Sequence, residues 1–225
     1  MLFDPRYFLV IAPALLLAFW AQLRIHIAYA AAQQRGASLS GAAAARHILD
    51  SAGLQDVDIQ QIPGHLSDHY DPRDKVLRLS AEVYQSRSLA AVGIAAHEAG
   101  HALQDARAYA PLAIRNAAVP IAGFGSNAGI ILTILGAFLH LMPLILIGIA
   151  VFSGVVFFQV VNLPVEFNAS SRAKAQLVSL GIVPPQEMVY VNRVLNAAAL
   201  TYVAATLQAV LTLLYLIMRF TGSRD

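Results

Sequence analysis

The 225-residue sequence contains no cysteine, and only 12% of its residues are charged. Without cysteine neither a disulfide framework nor a thiolate metal site can form, so metal ligands must come from His, Asp or Glu. Soluble domains carry about 25% charged residues. A chain this poor in charge, with 58% hydrophobic residues, is expected in a lipid bilayer. Its 15 Lys and Arg are scattered without a dense basic run, which argues against nucleic acid as a partner.

The longest uncharged run predicts a helical hairpin in the membrane. From Asn116 to Val165 the chain holds 50 residues without Asp, Glu, Lys or Arg. One helix of that length would measure roughly 75 Å, more than twice the roughly 30 Å thickness of the hydrocarbon core. Pro143 marks the expected turn, which gives two spans near 118–138 and 144–162.

Two shorter uncharged runs, Tyr7–Leu23 and Val194–Met218, predict one further crossing each. The first could instead be a cleaved signal peptide, because Ala28–Ala30 resembles a small-residue cleavage site. Arg24 and His26 lie between that site and the apolar run, and they favour an uncleaved anchor.

The predicted fold is a polytopic α-helical membrane protein with about four transmembrane helices and a small α+β domain at one membrane face. One polar segment precedes the hairpin and another follows it. The two crossings of the hairpin separate these segments, so both segments emerge on the same membrane face. The expected divisions are the first transmembrane helix at 1–32, the first part of the domain at 33–115, the hairpin at 116–163, the second part of the domain at 164–193, and the last helix with its tail at 194–225.

The first polar segment predicts one helix and three strands. Ser40 is expected to cap an alanine-rich helix that ends at Gly53. Strand patterns follow over Val57–Gln61, Leu66–Tyr70 and Lys75–Leu79, with a type I turn at 71–74. A strand at the edge of this sheet could pair with an extended peptide, or it could be a plain edge protected by Lys75 and Arg78.

The next segment carries the sequence His97-Glu98-Ala99-Gly100-His101. On a helix predicted over 87–106 and capped by Ser86, residues i and i+4 lie on one face, where two imidazoles can hold one Zn²⁺. Glu98 is then the candidate general base. Gly100 would let another element approach closely beside the metal.

A catalytic zinc site needs a third protein ligand and an open position for water. Glu166 is the first charged residue after the uncharged run, two positions past Pro164. We expect it in the first turn of a new helix, on the same membrane face as His97. The alternative is an ordinary acid stabilised by the helix dipole.

Four segments resemble the YugP-type membrane zinc metallopeptidases: Gly64–Pro72, Ala95–Ala102, Leu163–Ser170 and Ala197–Ala205. The resemblance runs from about residue 40 to residue 214. More distantly, the helix motif followed by Glu-Phe-x-Ala resembles HtpX-type gluzincins. The resemblance implies a gluzincin-like metallopeptidase domain in which Glu166 is the third zinc ligand.

The chain departs from these patterns at Ser170 and Asn168, where an acid is expected. This affects the groups that orient the ligand imidazoles, and Asp105 is a possible substitute. Tyr202 is the favoured oxyanion donor, ahead of Arg172, Arg193 and Tyr190, because it lies in a matching segment. The polar side chains of His65, Asp68, His69 and Asp71 are expected to contact substrate or to form structural hydrogen bonds rather than a second metal site.

These observations predict a zinc endopeptidase that cleaves membrane-associated or unfolded polypeptides with a zinc-activated water. One alternative is an intramembrane-cleaving protease, for which the metal helix is too short in apolar length. Another is a zinc-binding scaffold or transporter without hydrolysis. The sequence leaves the oligomeric state open.

The distribution of basic residues predicts a cytoplasmic active site in the cell membrane of a prokaryote, with both termini outside. The basic residues on the domain side outnumber those at the other ends of the spans; they are Arg24, Arg35, Arg107, Arg115, Arg172, Lys174 and Arg193, against Arg6, Arg219 and Arg224.

Overall fold

The computed structural model describes residues 4–65 and 67–221. Leu66 and Arg224, which figure in the predictions above, lie outside this part of the chain. The helices and strands, in chain order, are α1 (Pro5–Gln33), α2 (Gly41–Ser51), β1 (Asp58–Ile62), β2 (His69–Asp71), β3 (Val76–Ser80), α3 (Ala81–Gln85), α4 (Leu89–Ala106), α5 (Ala110–Phe138), α6 (Met142–Ser179) and α7 (Met188–Thr221).

Four of these helices, α1, α5, α6 and α7, are long and apolar enough to cross a membrane. Together with the small sheet they confirm the predicted fold class. The chain forms two compact units. The first comprises the described residues within 1–21, 113–164 and 200–225, and the second comprises residues 22–112 and 165–199. The division into five segments stays a prediction.

In the first unit, α5 and α6 pack through small residues. A Cβ added at Gly129 would lie 2.9 Å from the Phe152 backbone nitrogen, and one added at Gly136 would lie 2.7 Å from that of Ile145. The turn between the two helices includes His140, whose φ of 56° is left-handed. This confirms the turn expected beside Pro143.

Large apolar side chains on the outside of the first unit have no protein to cover them. Leu9, Phe19, Phe124 and Phe138 are each more than 70% exposed, at 74%, 72%, 75% and 78%. Exposed apolar surface on this scale indicates contact with lipid or another apolar partner.

The second unit is built around α4, most of which is buried. Its sheet has the order β1-β3-β2, with β1 parallel and β2 antiparallel to β3. The idea of an edge strand protected by Lys75 and Arg78 is therefore wrong, because β3 is the central strand. Leu77 and Leu79 are fully buried and belong to the hydrophobic core of this unit.

The predicted cap of α2 is confirmed, since the Ser40 side chain accepts a hydrogen bond from the Ala43 amide. The predicted cap of α4 is wrong by two residues. Ser88, not Ser86, accepts from the Ala91 amide. The reason is that residues before Ser88 are held extended by pairing with an earlier segment: the Ala37 amide donates to the Arg87 carbonyl at 2.8 Å.

Candidate metal centre and active site

Helix α4 brings His97 and His101 together. The two residues are four apart, and their ring centroids lie 4.9 Å apart with the planes 83° from parallel. Both side chains are largely buried, at 13% and 8% exposure. Two imidazoles on one face of a buried helix need polar partners, and those partners come from α6 and from α4 itself.

Glu166 lies between the two rings. Its Oε2 is 3.2 Å from His97 Nε2 and 3.8 Å from His101 Nε2. One ligand atom from each residue falls within 4.8 Å of the others. In the part of the chain that the structure describes, no other group of three His, Cys, Asp or Glu side chains converges in this way.

The position of Glu166 within its helix differs from the prediction. Helix α6 is continuous from Met142 to Ser179 with Pro164 inside it, so Glu166 is not in a first turn. A proline in a helix interior removes one backbone hydrogen bond. Long helices tolerate this loss when neighbouring segments support them on both sides of the proline.

The close approach predicted at Gly100 is present. A Cβ at this position would lie only 2.6 Å from the Ala169 carbonyl oxygen of α6. Real Cβ atoms are not found at such distances from a backbone oxygen, so only glycine lets α6 lie here. This contact brings Glu166, three residues before Ala169, to the imidazoles.

The three side chains fit a zinc ion. Tetrahedral ligands at about 2.0–2.1 Å from zinc lie about 3.3 Å from one another, close to the two carboxylate–imidazole distances above. In both rings Nδ1, the nitrogen that does not face Glu166, already has a polar partner. His97 Nδ1 lies 3.1 Å from Ser170 Oγ, and His101 Nδ1 lies 2.9 Å from Gln104 Oε1. Such outer contacts orient metal-binding imidazoles.

Asp105 does not orient His101, contrary to the substitute proposed from the sequence. Its carboxylate instead accepts a hydrogen bond from the Tyr70 hydroxyl at 2.9 Å. Sequence reasoning missed Gln104, which is fully buried. An uncharged polar residue three positions after His101, on an otherwise apolar stretch, was the available signal.

Glu98 follows His97 and is 9% exposed. Burial raises the pKa of its carboxyl to about 7, against the opposing effect of the neighbouring His97. The backbone amide of Tyr70, on strand β2, also donates to it. A carboxyl group with a pKa near neutrality can both accept and release a proton.

The remaining candidates have other surroundings. Tyr202 lies on α7, half-buried, in the first unit, and its role stays a prediction. Arg172 donates to Asn168 at 2.7 Å, and the Tyr190 ring lies 4.8 Å from the Arg35 guanidinium carbon. The loop and hairpin side chains form separate pairs: His65 with Glu82, Asp68 with Ser80, His69 with the Ser67 carbonyl, and Asp71 with Arg73 and Arg78.

Four apolar helices and a buried His–His–Glu cluster define a membrane protein with a candidate metal centre. The chain belongs to the family described as "Putative neutral zinc metallopeptidase", whose model matches residues 7–221. It is 47% identical over 220 residues to the "Putative membrane protease YugP" of Bacillus subtilis (strain 168), and the match covers 97% of each chain. No solved structure matches it. The resemblance to the YugP-type membrane zinc metallopeptidases is confirmed.

Proposed function

We propose that this protein is a membrane-embedded zinc endopeptidase of gluzincin type that hydrolyses membrane-associated or unfolded polypeptides. The observation that carries the proposal is the convergence of His97, His101 and Glu166 beside the buried Glu98. Membership of a zinc metallopeptidase family supports it.

His97, His101 and Glu166 would hold the metal. When bound, zinc supplies Lewis acidity and lowers the pKa of water from 15.7 toward about 7. Glu98 takes a proton from the attacking water and returns it to the leaving nitrogen, which its buried carboxyl suits. Tyr202 is retained as the proposed oxyanion donor.

Strand β2 is the proposed site of peptide pairing. It is an edge strand, and the Tyr70 amide on it reaches Glu98. An extended substrate paired along such an edge would run beside the general base. We also retain the cytoplasmic orientation in a prokaryotic cell membrane, which protease accessibility of a C-terminal tag would test.

The exchange Glu98→Gln tests the reaction. We expect zinc content to stay unchanged while cleavage of an unfolded fluorogenic casein by the reconstituted full-length protein falls by about 10²–10⁴-fold. Glu82→Gln is the matched control, because Glu82 is an exposed acid paired with His65. If Glu98→Gln cleaves as fast as the control, Glu98 is not the general base. If the wild type and the control bind zinc but cleave nothing, the protein is a zinc-binding scaffold or transporter and the enzyme proposal is wrong.

A further inference from the structure

Gln104 makes three side-chain hydrogen bonds, and two of them join the metal-binding helix to α6. Its side chain is fully buried. Oε1 lies 2.9 Å from His101 Nδ1, while Nε2 donates to the Val165 carbonyl at 2.8 Å and to Asn168 Oδ1 at 3.0 Å. Both hydrogens of the amide nitrogen are therefore used, and the oxygen faces the imidazole.

The direction of these hydrogen bonds is fixed by neighbouring groups that can only donate or can only accept. The Arg172 Nε donates to Asn168 Oδ1 at 2.7 Å, and a guanidinium cannot accept. The atom of Asn168 that faces both Arg172 and Gln104 must therefore be oxygen. The Val165 carbonyl can only accept, so it too requires the nitrogen of the Gln104 amide.

The consequence for His101 follows directly. Because the Gln104 oxygen can only accept, His101 Nδ1 must carry a hydrogen. In the neutral ring the lone pair then lies on Nε2, the atom that faces Glu166 at 3.8 Å. That is the tautomer a metal ion needs at this position.

His97 is held differently. Its Nδ1 lies 3.1 Å from the Ser170 hydroxyl. A hydroxyl group can either donate or accept, so Ser170 is compatible with both tautomers of the ring. Ser170 therefore does not select the protonated nitrogen of His97 in the way that Gln104 selects that of His101.

We propose that Gln104, anchored to α6 by the Val165 carbonyl and by an Asn168 side chain that Arg172 orients, is a positioning residue that holds His101 in the Nδ1–H tautomer and so prepares it for zinc. This inference rests on the metal site of the proposed function. It assigns to Arg172, which contacts none of the three ligands in the hydrogen bonds described, an effect on the affinity for metal.

The contacts from Arg172 through Asn168 and Gln104 to His101 form a relay. Zinc affinity of the full-length protein, measured by competition with a chelator, tests it. Loss of contacts that orient a ligand lowers metal affinity by about 10–100-fold. We expect Gln104→Leu to lower the zinc affinity by close to about 100-fold and Arg172→Met to lower it by about 10-fold. Arg172→Lys restores a donor and should recover most of the affinity. Asn168→Asp keeps an acceptor for both neighbours and should bind zinc like the wild type.

The matched control is Lys174→Met. Lys174 lies on the same helix and donates to Asn196 at 2.6 Å, outside the relay. This variant loses one cation and one hydrogen bond, as Arg172→Met does, but its zinc affinity should not change. Equal affinities for the two methionine variants would overturn the proposal.

A second readout needs no metal. In zinc-free protein with ¹⁵N-labelled histidine, the ring shifts of His101 should show hydrogen on Nδ1. Gln104→Leu should shift them toward a mixture of tautomers, and Lys174→Met should not. An unchanged spectrum in Gln104→Leu overturns the proposal, whether or not Glu98→Gln has abolished cleavage.

Discussion

The α5–α6 hairpin and the second unit satisfy their polar side chains in different ways. In the hairpin, the hydroxyls of Thr133 and Ser153 donate to carbonyls four residues earlier in the same helix, at 2.8 and 2.9 Å. In the second unit, Ser80 pairs with Asp68 and Gln104 pairs with Asn168, across different segments. The hydroxyls of Thr133 and Ser153 therefore depend on their own helices, while Ser80 and Gln104 depend on contacts between segments of the fold.

The difference predicts where substitutions will do harm. Removing a hydroxyl that bonds within its own helix leaves a carbonyl that the backbone amide still satisfies. Removing one partner of a buried pair between segments leaves the other without a hydrogen bond, which costs about 1–3 kcal/mol. Three substitutions test this contrast, from the largest expected effect to the smallest.

The largest effect is expected for Gly100→Ala. The added Cβ would lie 2.6 Å from a backbone oxygen of α6, so the helices must separate. Overpacking of this kind costs about 1–3 kcal/mol, and the movement also draws Glu166 away from the imidazoles. We expect a lower melting temperature in detergent together with weaker zinc binding.

Gly123→Ala is the control for that substitution. Nothing lies within 4 Å of a Cβ at Gly123, in α5 of the hairpin. Alanine is the better helix former, by about 1 kcal/mol. This variant should be as stable as the wild type or slightly more stable. If Gly100→Ala behaves in the same way and keeps its zinc, the close contact does not hold the site together.

An intermediate effect is expected for Asp71→Asn. The Arg73 and Arg78 side chains hold the pKa of the Asp71 carboxyl well below its usual range. The folded state therefore binds this proton more weakly than the unfolded state does. The resulting stability is present above the ordinary Asp pKa of about 3.9 and is lost as the pH falls further.

At neutral pH we expect Asp71→Asn to lower the free energy of unfolding by about 1–2 kcal/mol, because Arg73 is largely exposed and the pair is partly screened. Denaturant titrations at several pH values measure the difference from wild type, which should shrink below about pH 4. A difference that grows as the pH falls would contradict the assignment of the stabilising charge to Asp71.

The smallest effect is expected for Ser153→Ala in the hairpin. The hydroxyl donates to the Ile149 carbonyl of its own helix, and the backbone of Ser153 remains available to that carbonyl. The change in the free energy of unfolding should stay within about 0.5 kcal/mol. A loss comparable with that of Asp71→Asn would show that the hairpin too depends on its hydroxyls.

The same contrast explains how far the sequence predicts the structure. Uncharged runs locate the four apolar helices because the length of a crossing is set by the bilayer. The i, i+4 spacing of His97 and His101 is a property of one helix, and it predicts their common face. Serine and glycine at the ends of α2 also act locally, so its cap at Ser40 is correct.

Partners between segments were harder to predict. The pairing of Gln104 with Val165 and Asn168 joins residues 61 and 64 positions apart, and no local pattern specifies it. The same applies to the central position of β3, which depends on the pairing of β1 across the sheet. At Pro164 a local pattern is present but misleading. Proline tends to end a helix, yet α6 continues through this residue because packing along the helix supports it.

The distance along the chain between His97 and Glu166 has a consequence for biosynthesis. The two residues are 69 positions apart, and the α5 segment is translated between them. At about 5–20 residues per second, a ribosome needs roughly 3 to 14 s to cover that interval. A nascent chain therefore contains its paired imidazoles for seconds before the carboxylate is made, and the proposed metal centre cannot be completed until the membrane segments between them have been translated.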